Sequence, residues 1–514
     1  MAAIPALSSA ANSEFMIIPT EKPLLISYCN LFYFVLKSNA SIVVVKITFH
    51  YINVFFYNHI YRNSIFRNIF MKSGIKYRNR GYSLLDLKKI NSRRTFLGIS
   101  SFQALAMFRR GLFYNYLSIY LRHFLGLSVT ETTLFATLPM IANVVFQTFV
   151  WGSISDRLQL RRTLIVWGEL LAGVGTVFIW YAHRLTDSQT WAGYIIIIGL
   201  TVVEIFWSMS NVGWSALISD IYKEGDRGKV QGQLSSIGGL GRIIGVWIGG
   251  LMYDGLSMKY MGWGFYEGAL FFIAAAVMAL SIIPMYYVPE GGMDYLLKNE
   301  PNHTNPLKEN DYIRTYVIFI IGLVFLNFGK NSVAVIQTQY LVLESGFNVT
   351  SRVLSYIVNT QSVAMVLVGL VAGWIDRRLG SKYALLLGSF TAIMYLIIIG
   401  VSVNLPMIVL SNFIAGFSEV IIMVSSYSFV SILIPPEKRG KLFAIFNATY
   451  FLSWGLAGTL IAGPIIDWLI IIGKPEVFSY QMSFIAAAGI TFIGLAFLGY
   501  LTFSNTEKRI GANK

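Results

Sequence analysis

Six ionisable side chains stand near the middle of long apolar stretches: Arg109, Arg110, Glu204, Arg242, Lys330 and Glu419. Glu169, about two turns into another stretch, is a weaker case. A charge at the centre of a bilayer helix costs roughly 2.5–3.5 kcal/mol on insertion scales, so each one calls for a reason. The chemistry open to such a set is proton binding, recognition of a charged solute, or static ion pairing. Desolvation penalises an ionised carboxylate, which makes Glu204 and Glu419 candidate proton sites. Arg109 or Arg110, with Arg242 or Lys330, are the candidate substrate or counter-ion partners. Static pairs, for example Arg109 with Glu204, are the competing structural role. Four basic residues against two acidic ones favour a solute bearing a carboxylate or phosphate.

The elements that must hold these residues are membrane helices. The chain is 55% hydrophobic and only 13% charged, whereas soluble domains are about one quarter charged. Its net charge of +15 is spread over short loops, which points to a cytoplasmic membrane face and away from nucleic acid. A single cysteine, Cys29, excludes internal disulfides and Cys-based metal sites, and the five histidines lack metal-ligand spacing. Gly322 to Gly329-Lys330 has the wrong spacing for a phosphate loop. No nucleophile, metal or cofactor constellation appears, so neither an enzyme nor a cofactor is expected.

Twelve apolar stretches follow, near 97–121, 130–151, 163–182, 192–218, 230–252, 266–288, 314–340, 353–374, 383–401, 406–434, 442–470 and 481–503. Each approaches the roughly 20 residues that a bilayer helix needs. The loops after spans 2, 4, 6, 8 and 10 each carry three Lys or Arg, 15 in all. The opposite loops hold five: Arg122, Arg184, Lys259, Arg352 and Lys474. That split places both termini in the cytoplasm of a multi-pass protein of the plasma membrane. Asn348-Val-Thr350 then lies outside as a formal glycosylation acceptor.

Residues 1–15 read as an expression leader, and 16–94 as an atypical segment expected to be disordered or not native. Two readings of 16–70 are open: an added membrane or amphipathic segment around 24–57, or upstream sequence read through to a later start such as Met71. The second is preferred, because 24–36 is short for a span and Lys46 and His50 interrupt 41–57.

The remainder repeats. Asp156-Arg157 is answered by Asp376-Arg377 at an offset of 220, Glu204 by Glu419 at 215, and Arg227-Gly228-Lys229 by Arg439-Gly440-Lys441 at 212. Equal loop chemistry on the same side implies two six-helix bundles, 95–288 and 313–503, related by an axis along the membrane normal. Residues 289–312 form the cytoplasmic linker and 504–514 a cytoplasmic tail.

Gly152-Ser-Ile-Ser-Asp156-Arg157-Leu-Gln-Leu-Arg161-Arg162 resembles the signature between helices 2 and 3 of the major facilitator superfamily, with Gln159 where a glycine is usual. Its second copy, Gly373-Trp-Ile-Asp376-Arg377-Arg378-Leu-Gly380-Ser-Lys382, is looser. Gly241-Arg-Ile-Ile-Gly245-Val246-Trp-Ile-Gly249-Gly250 is similar to the antiporter motif of proton-driven exporters, with Val246 replacing its proline. Glycines four apart also let helices approach closely.

The resemblance implies a cavity lined by helices 1, 4, 7 and 10. It also implies a cytoplasmic gate at Gly152, Asp156, Arg157, Arg161, Arg162, Arg227, Asp376, Arg377, Lys382 and Arg439. The expected function is alternating-access transport of a small organic solute coupled to protons, by a monomer in the lipid bilayer. A multidrug or metabolite:proton exporter and a non-transporting sensor on the same fold are the alternatives.

Overall fold

In hydrocarbon, backbone amides find no water, so each spanning segment must close its own hydrogen bonds as a helix. The computed structural model describes residues 93–503 apart from 153, 156–159, 223, 257–258, 292–308 and 434–438. The expectations for 1–15, for 16–92 and for the tail lie outside the described residues.

Twelve helical paths run among the described residues. The first half holds α1 (Arg93–Ile119), α2 (Val129–Phe146), α3 (Arg162–Arg184), α4 (Gln189–Ile221), α5 (Glu224–Tyr253) and α6 (Ala269–Met285). The second holds α7 (Glu309–Ser332, resuming as Ile336–Val342), α8 (Ser351–Leu379), α9 (Ser381–Gly400), α10 (Leu405–Leu433), α11 (Arg439–Ala457, ending as Gly463–Ile471) and α12 (Glu476–Phe503). Ten of these paths are long and apolar enough to cross a membrane. The other two are α6, with 17 residues, and α1, with Arg109 and Arg110 at its middle.

The starts follow from local chemistry. Ser128 and Glu131 form a reciprocal capping box on α2. Ser188 and Thr350 cap α4 and α8 with their side chains. Gly380, at φ +82°, is the one-residue joint between α8 and α9.

Four paths are not single α-helices. Five-residue π-turns occupy Tyr120–Phe124, Gln147–Trp151 and Gly458–Ala462. α7 breaks just after Lys330. The Ala334 amide bonds to the Asn331 carbonyl instead of reaching Lys330, and the Tyr395 hydroxyl donates to the freed Lys330 carbonyl at 3.1 Å. The expected linker is also shorter than 289–312, because α7 begins at Glu309 and Glu290 docks onto the α3 start.

The packing has the expected repeat. α1 packs on α5 and α6, α2 on α4, and α3 on α4 and α6. Each pairing recurs six helices later: α7 on α11 and α12, α8 on α10, and α9 on α10 and α12. The main contacts between halves, α5 with α8 and α11 with α2, exchange under the same relation. This is a twofold arrangement of two six-helix bundles.

The α5 glycines bring backbones together within the first half. A Cβ at Gly241, Gly245 or Gly249 would fall on the carbonyl of Ala104, Phe108 or Leu112 respectively, one turn of α1 after another. Gly250 instead faces Ser351 and Ser355 of α8, in the other half. Gly245→Leu is therefore expected to separate α1 from α5. Overpacking of this kind costs about 1–3 kcal/mol or more, and the detergent-solubilised variant should melt lower or elute as aggregate. Gly499→Ala, with nothing within 4 Å of the added carbon, should elute and melt like the parent; equal behaviour of the two variants would refute the close-approach argument.

Candidate functional site

Adjacent residues on a helix point about 100° apart, and this separates the two α1 arginines. Arg109 turns into the first half and is 2% exposed. Its guanidinium lies 3.7 Å from the Glu169 carboxylate and 4.3 Å from the Trp207 ring centre. Among the described residues, none of its three nitrogens has a hydrogen-bond partner. The Glu169 Oε1 accepts from Trp207 Nε1 at 2.8 Å and from Ser210 Oγ at 2.9 Å. The Arg109 pair is thus made with Glu169 of α3 and not with Glu204.

Arg110 points the other way and is exposed. Its guanidinium rests 4.7 Å from the centre of the same Trp207 ring. It lies within electrostatic reach of Tyr114 and Glu204 in its own half and of Tyr450 in the other. Glu204 is buried and accepts a hydrogen bond from the Asn143 side-chain amide of α2 at 2.5 Å.

The second half closes its own charges. Lys330 is buried and forms an ion pair with Glu419 Oε2, with Asn331 Oδ1 also 3.3 Å from its ammonium. The other Glu419 oxygen accepts from the Tyr450 hydroxyl at 3.0 Å. Arg242 reaches across the halves to α8, 3.4 Å from Gln361 Oε1 and 3.5 Å from Met365 Sδ. Among the described residues, neither Arg110 nor Arg242 has a carboxylate at ion-pair distance.

The halves meet tightly at the end away from the α8–α9 joint at Gly380. Asp467 of α11 accepts from the Val129 and Thr130 amides at the start of α2, at 3.1 and 2.8 Å. Arg122 pairs with Glu476 at 2.9 Å, and the hydroxyls of Ser118 and Thr338 lie 2.8 Å apart. Deeper in, Thr133 and Thr459 bond at 2.7 Å. Along the α5–α8 seam, Gly250 and Gly239 meet the opposite half, Gly369 touches it only at 3.5 Å, and Gly232 and Gly373 have no described atom within 4 Å. The gap between the halves therefore opens toward that joint, and Arg110 and Tyr450 are exposed beside it.

Of the expected gate residues, Asp156 and Arg157 lie outside the described residues, and Arg227 and Arg439 are described only as backbone. Arg161 pairs with Asp220 at 3.1 Å and hydrogen-bonds Ser155. Arg162 lies 3.3 Å from Glu290, whose carboxylate also accepts from the Arg161 and Thr163 amides at 2.9 Å. Asp376 is buried and accepts from Ser381 at 3.2 Å; Arg377 is exposed. Lys382 lies 5.5 Å from the Phe429 ring, and Gly152 continues the end of α2. These named partners all belong to the residue's own half.

A model of the Major Facilitator Superfamily matches residues 99–457 and 318–514. The chain belongs to this superfamily. A stretch of 170 residues is 26% identical to the facilitated trehalose transporter Tret1 of Drosophila willistoni, covering 32% of this chain and only 19% of that protein. Two solved transporters share the major facilitator fold. A bacterial homolog of the human lysosomal transporter Spinster, in an inward-facing conformation, has TM-score 0.59 and 14% identity over 82% of this chain and 98% of its own. The nucleoside transporter NupG has TM-score 0.60 and 15% identity over 80% and 100%.

Sequence reasoning missed Asn143, Trp207, Ser210 and Tyr450. Asn143 and Trp207 carried a signal, a polar amide inside span 2 and an indole one turn from Glu204. Tyr450 carried none.

Removing one member of a buried ion pair leaves an uncompensated charge, at about 3–5 kcal/mol. Lys330→Met should lower thermal stability in detergent sharply. Adding Glu419→Gln to it should recover most of the loss; a double variant no more stable than the single would show that the pair is not what holds α7 to α10.

Proposed function

We propose that this superfamily transporter carries a small organic anion together with protons. The observation that carries the reading is the pair of cavity cations, Arg110 and Arg242, without a carboxylate partner among the described residues. Their charge calls for an anion, and a carboxylate or phosphate of the solute supplies one. Lys330 and Arg109 are already matched by Glu419 and Glu169, which leaves them a structural part.

Glu204 is the proton carrier in this reading. It is buried with a neutral amide as its hydrogen-bond partner, and a lone buried charge costs several kcal/mol. Protonation removes that cost, and Arg110 within electrostatic reach opposes it. A solute anion that occupies Arg110 weakens this opposition, so anion and proton favour one another at the site. The glycines of α5 need no exporter role, since their close approach to α1 accounts for them.

With the lysine- and arginine-rich loops in the cytoplasm of a plasma-membrane protein, the gap faces inward. The gate at Gly152, Asp156, Arg157, Arg161, Arg162, Arg227, Asp376, Arg377, Lys382 and Arg439 then closes in the opposite state, when the other end opens.

Reconstituted protein should accumulate an organic anion under a pH gradient and ignore neutral sugars and lipophilic cations. Arg110→Gln should weaken anion binding about 10- to 100-fold, the worth of a charge-assisted contact. Glu204→Gln should abolish gradient-driven accumulation while leaving anion exchange at zero gradient. Intact accumulation in that variant would remove Glu204 from the mechanism, and preference for a neutral sugar would overturn the anion reading.

A further inference from the structure

Two recesses indent the membrane-facing surface away from the charged centre. One, of about 450 Å³, lies over the α5–α8 seam and is lined by Ile243, Ile244, Trp247, Tyr356, Asn359 and Val363. The other, of about 590 Å³, runs between α8 and the start of α10, against Leu405, Val409, Leu410 and Phe413. Thr360 lines both, so together they form one apolar trough. Water in such a trough would lack partners, so between membrane helices its filling is a lipid chain.

The end of the trough is charged. Arg352 is exposed one turn before Tyr356, on the same face of α8. It lies beside the Tyr356 hydroxyl, as does Trp247. Among the described residues no carboxylate is at ion-pair distance from Arg352. Its place in the first turn of α8 is one where the helix dipole disfavours a cation. Tyrosine and tryptophan at this level suit the headgroup region of a bilayer.

We propose that the trough is a binding site for a glycerophospholipid, with its phosphate on Arg352 and an acyl chain along the α5–α8 seam. The two walls come from different halves: Ile243, Ile244 and Trp247 from the first, Tyr356 and Val363 from the second. Beneath the lipid, Asn359 Nδ2 donates across the seam to the Ile243 carbonyl at 3.0 Å. A lipid seated there touches both halves where they are closed, and its site is lost when they part. It therefore binds the conformation described here in preference to its opposite.

Delipidated protein, titrated with phosphatidylglycerol and with chain-matched diacylglycerol and followed by native mass spectrometry, tests this. Phosphatidylglycerol should bind and diacylglycerol should not. Arg352→Gln should weaken the complex about tenfold or more, the worth of a charge-assisted contact, and Arg352→Lys should retain it. Val363→Trp, which fills the trough and keeps Arg352, should also lose the lipid. Equal binding of the two lipids, or unchanged phosphatidylglycerol binding in both Arg352→Gln and Val363→Trp, would overturn the assignment.

Discussion

A charge in the membrane interior must be matched, and that requirement arranges the middle of this molecule. The Arg109–Glu169 separation of 3.7 Å is loose. At an effective dielectric near 20 such a pair gains on the order of 4 kcal/mol, about what removing two ions from water takes back. The pair alone therefore does not hold Arg109 in place. The Trp207 face adds about 2 kcal/mol for a desolvated cation. The same indole donates to Glu169, so one side chain supports both ions. In the second half Lys330 and Glu419 need no such mediator, because Tyr450 and Asn331 complete their hydrogen bonds.

Several contacts between the halves carry no buried ion pair. At the closed end, Asp467 caps the start of α2 from the other half. Capping by a carboxylate draws on the free amides and dipole of a helix terminus. Were the halves to separate there, water could replace Asp467 at these amides. The threonine contacts deeper in are neutral. At the open end, the ion pairs among the described residues stay on one side, as with Arg161–Asp220 and Glu290 on the α3 start. Such pairs brace that face within its own half.

Helix number and repeat were legible because lipid forces both: apolar length counts spans, and matching loop charges count halves. The side-chain directions were less so. Arg109 and Arg110 are neighbours with opposite surroundings, and only the register of α1 against α5, fixed by Gly241, Gly245 and Gly249, decides which one faces the gap. Glu169 looked peripheral because a position along span 3 says nothing about the arginine across from it. The break in α7 was hidden, since Val333 to Val335 are apolar and the hydroxyl that takes up the freed carbonyl belongs to Tyr395, two helices away. Glu290 read as linker because its partners are backbone amides, which leave no mark in a sequence.

The repeat that makes the fold also shows where it has been broken for function. Glu204 and Glu419 are equivalent by position, yet one faces a neutral amide and the other a lysine. The difference arises on the first helix of each half: α1 offers two arginines where α7 offers one lysine. Arg109 is drawn to Glu169, which leaves Glu204 without an ion pair and Arg110 without a carboxylate. In the middle of the second half, the described charges on α7 and α10, Lys330 and Glu419, pair with each other. A half whose charges all cancel behaves the same before and after a proton or an anion arrives. A half with an uncommitted carboxylate and uncommitted arginines does not, and on the proposed function it is this asymmetry, on α1, α4 and α5, that would couple proton to solute.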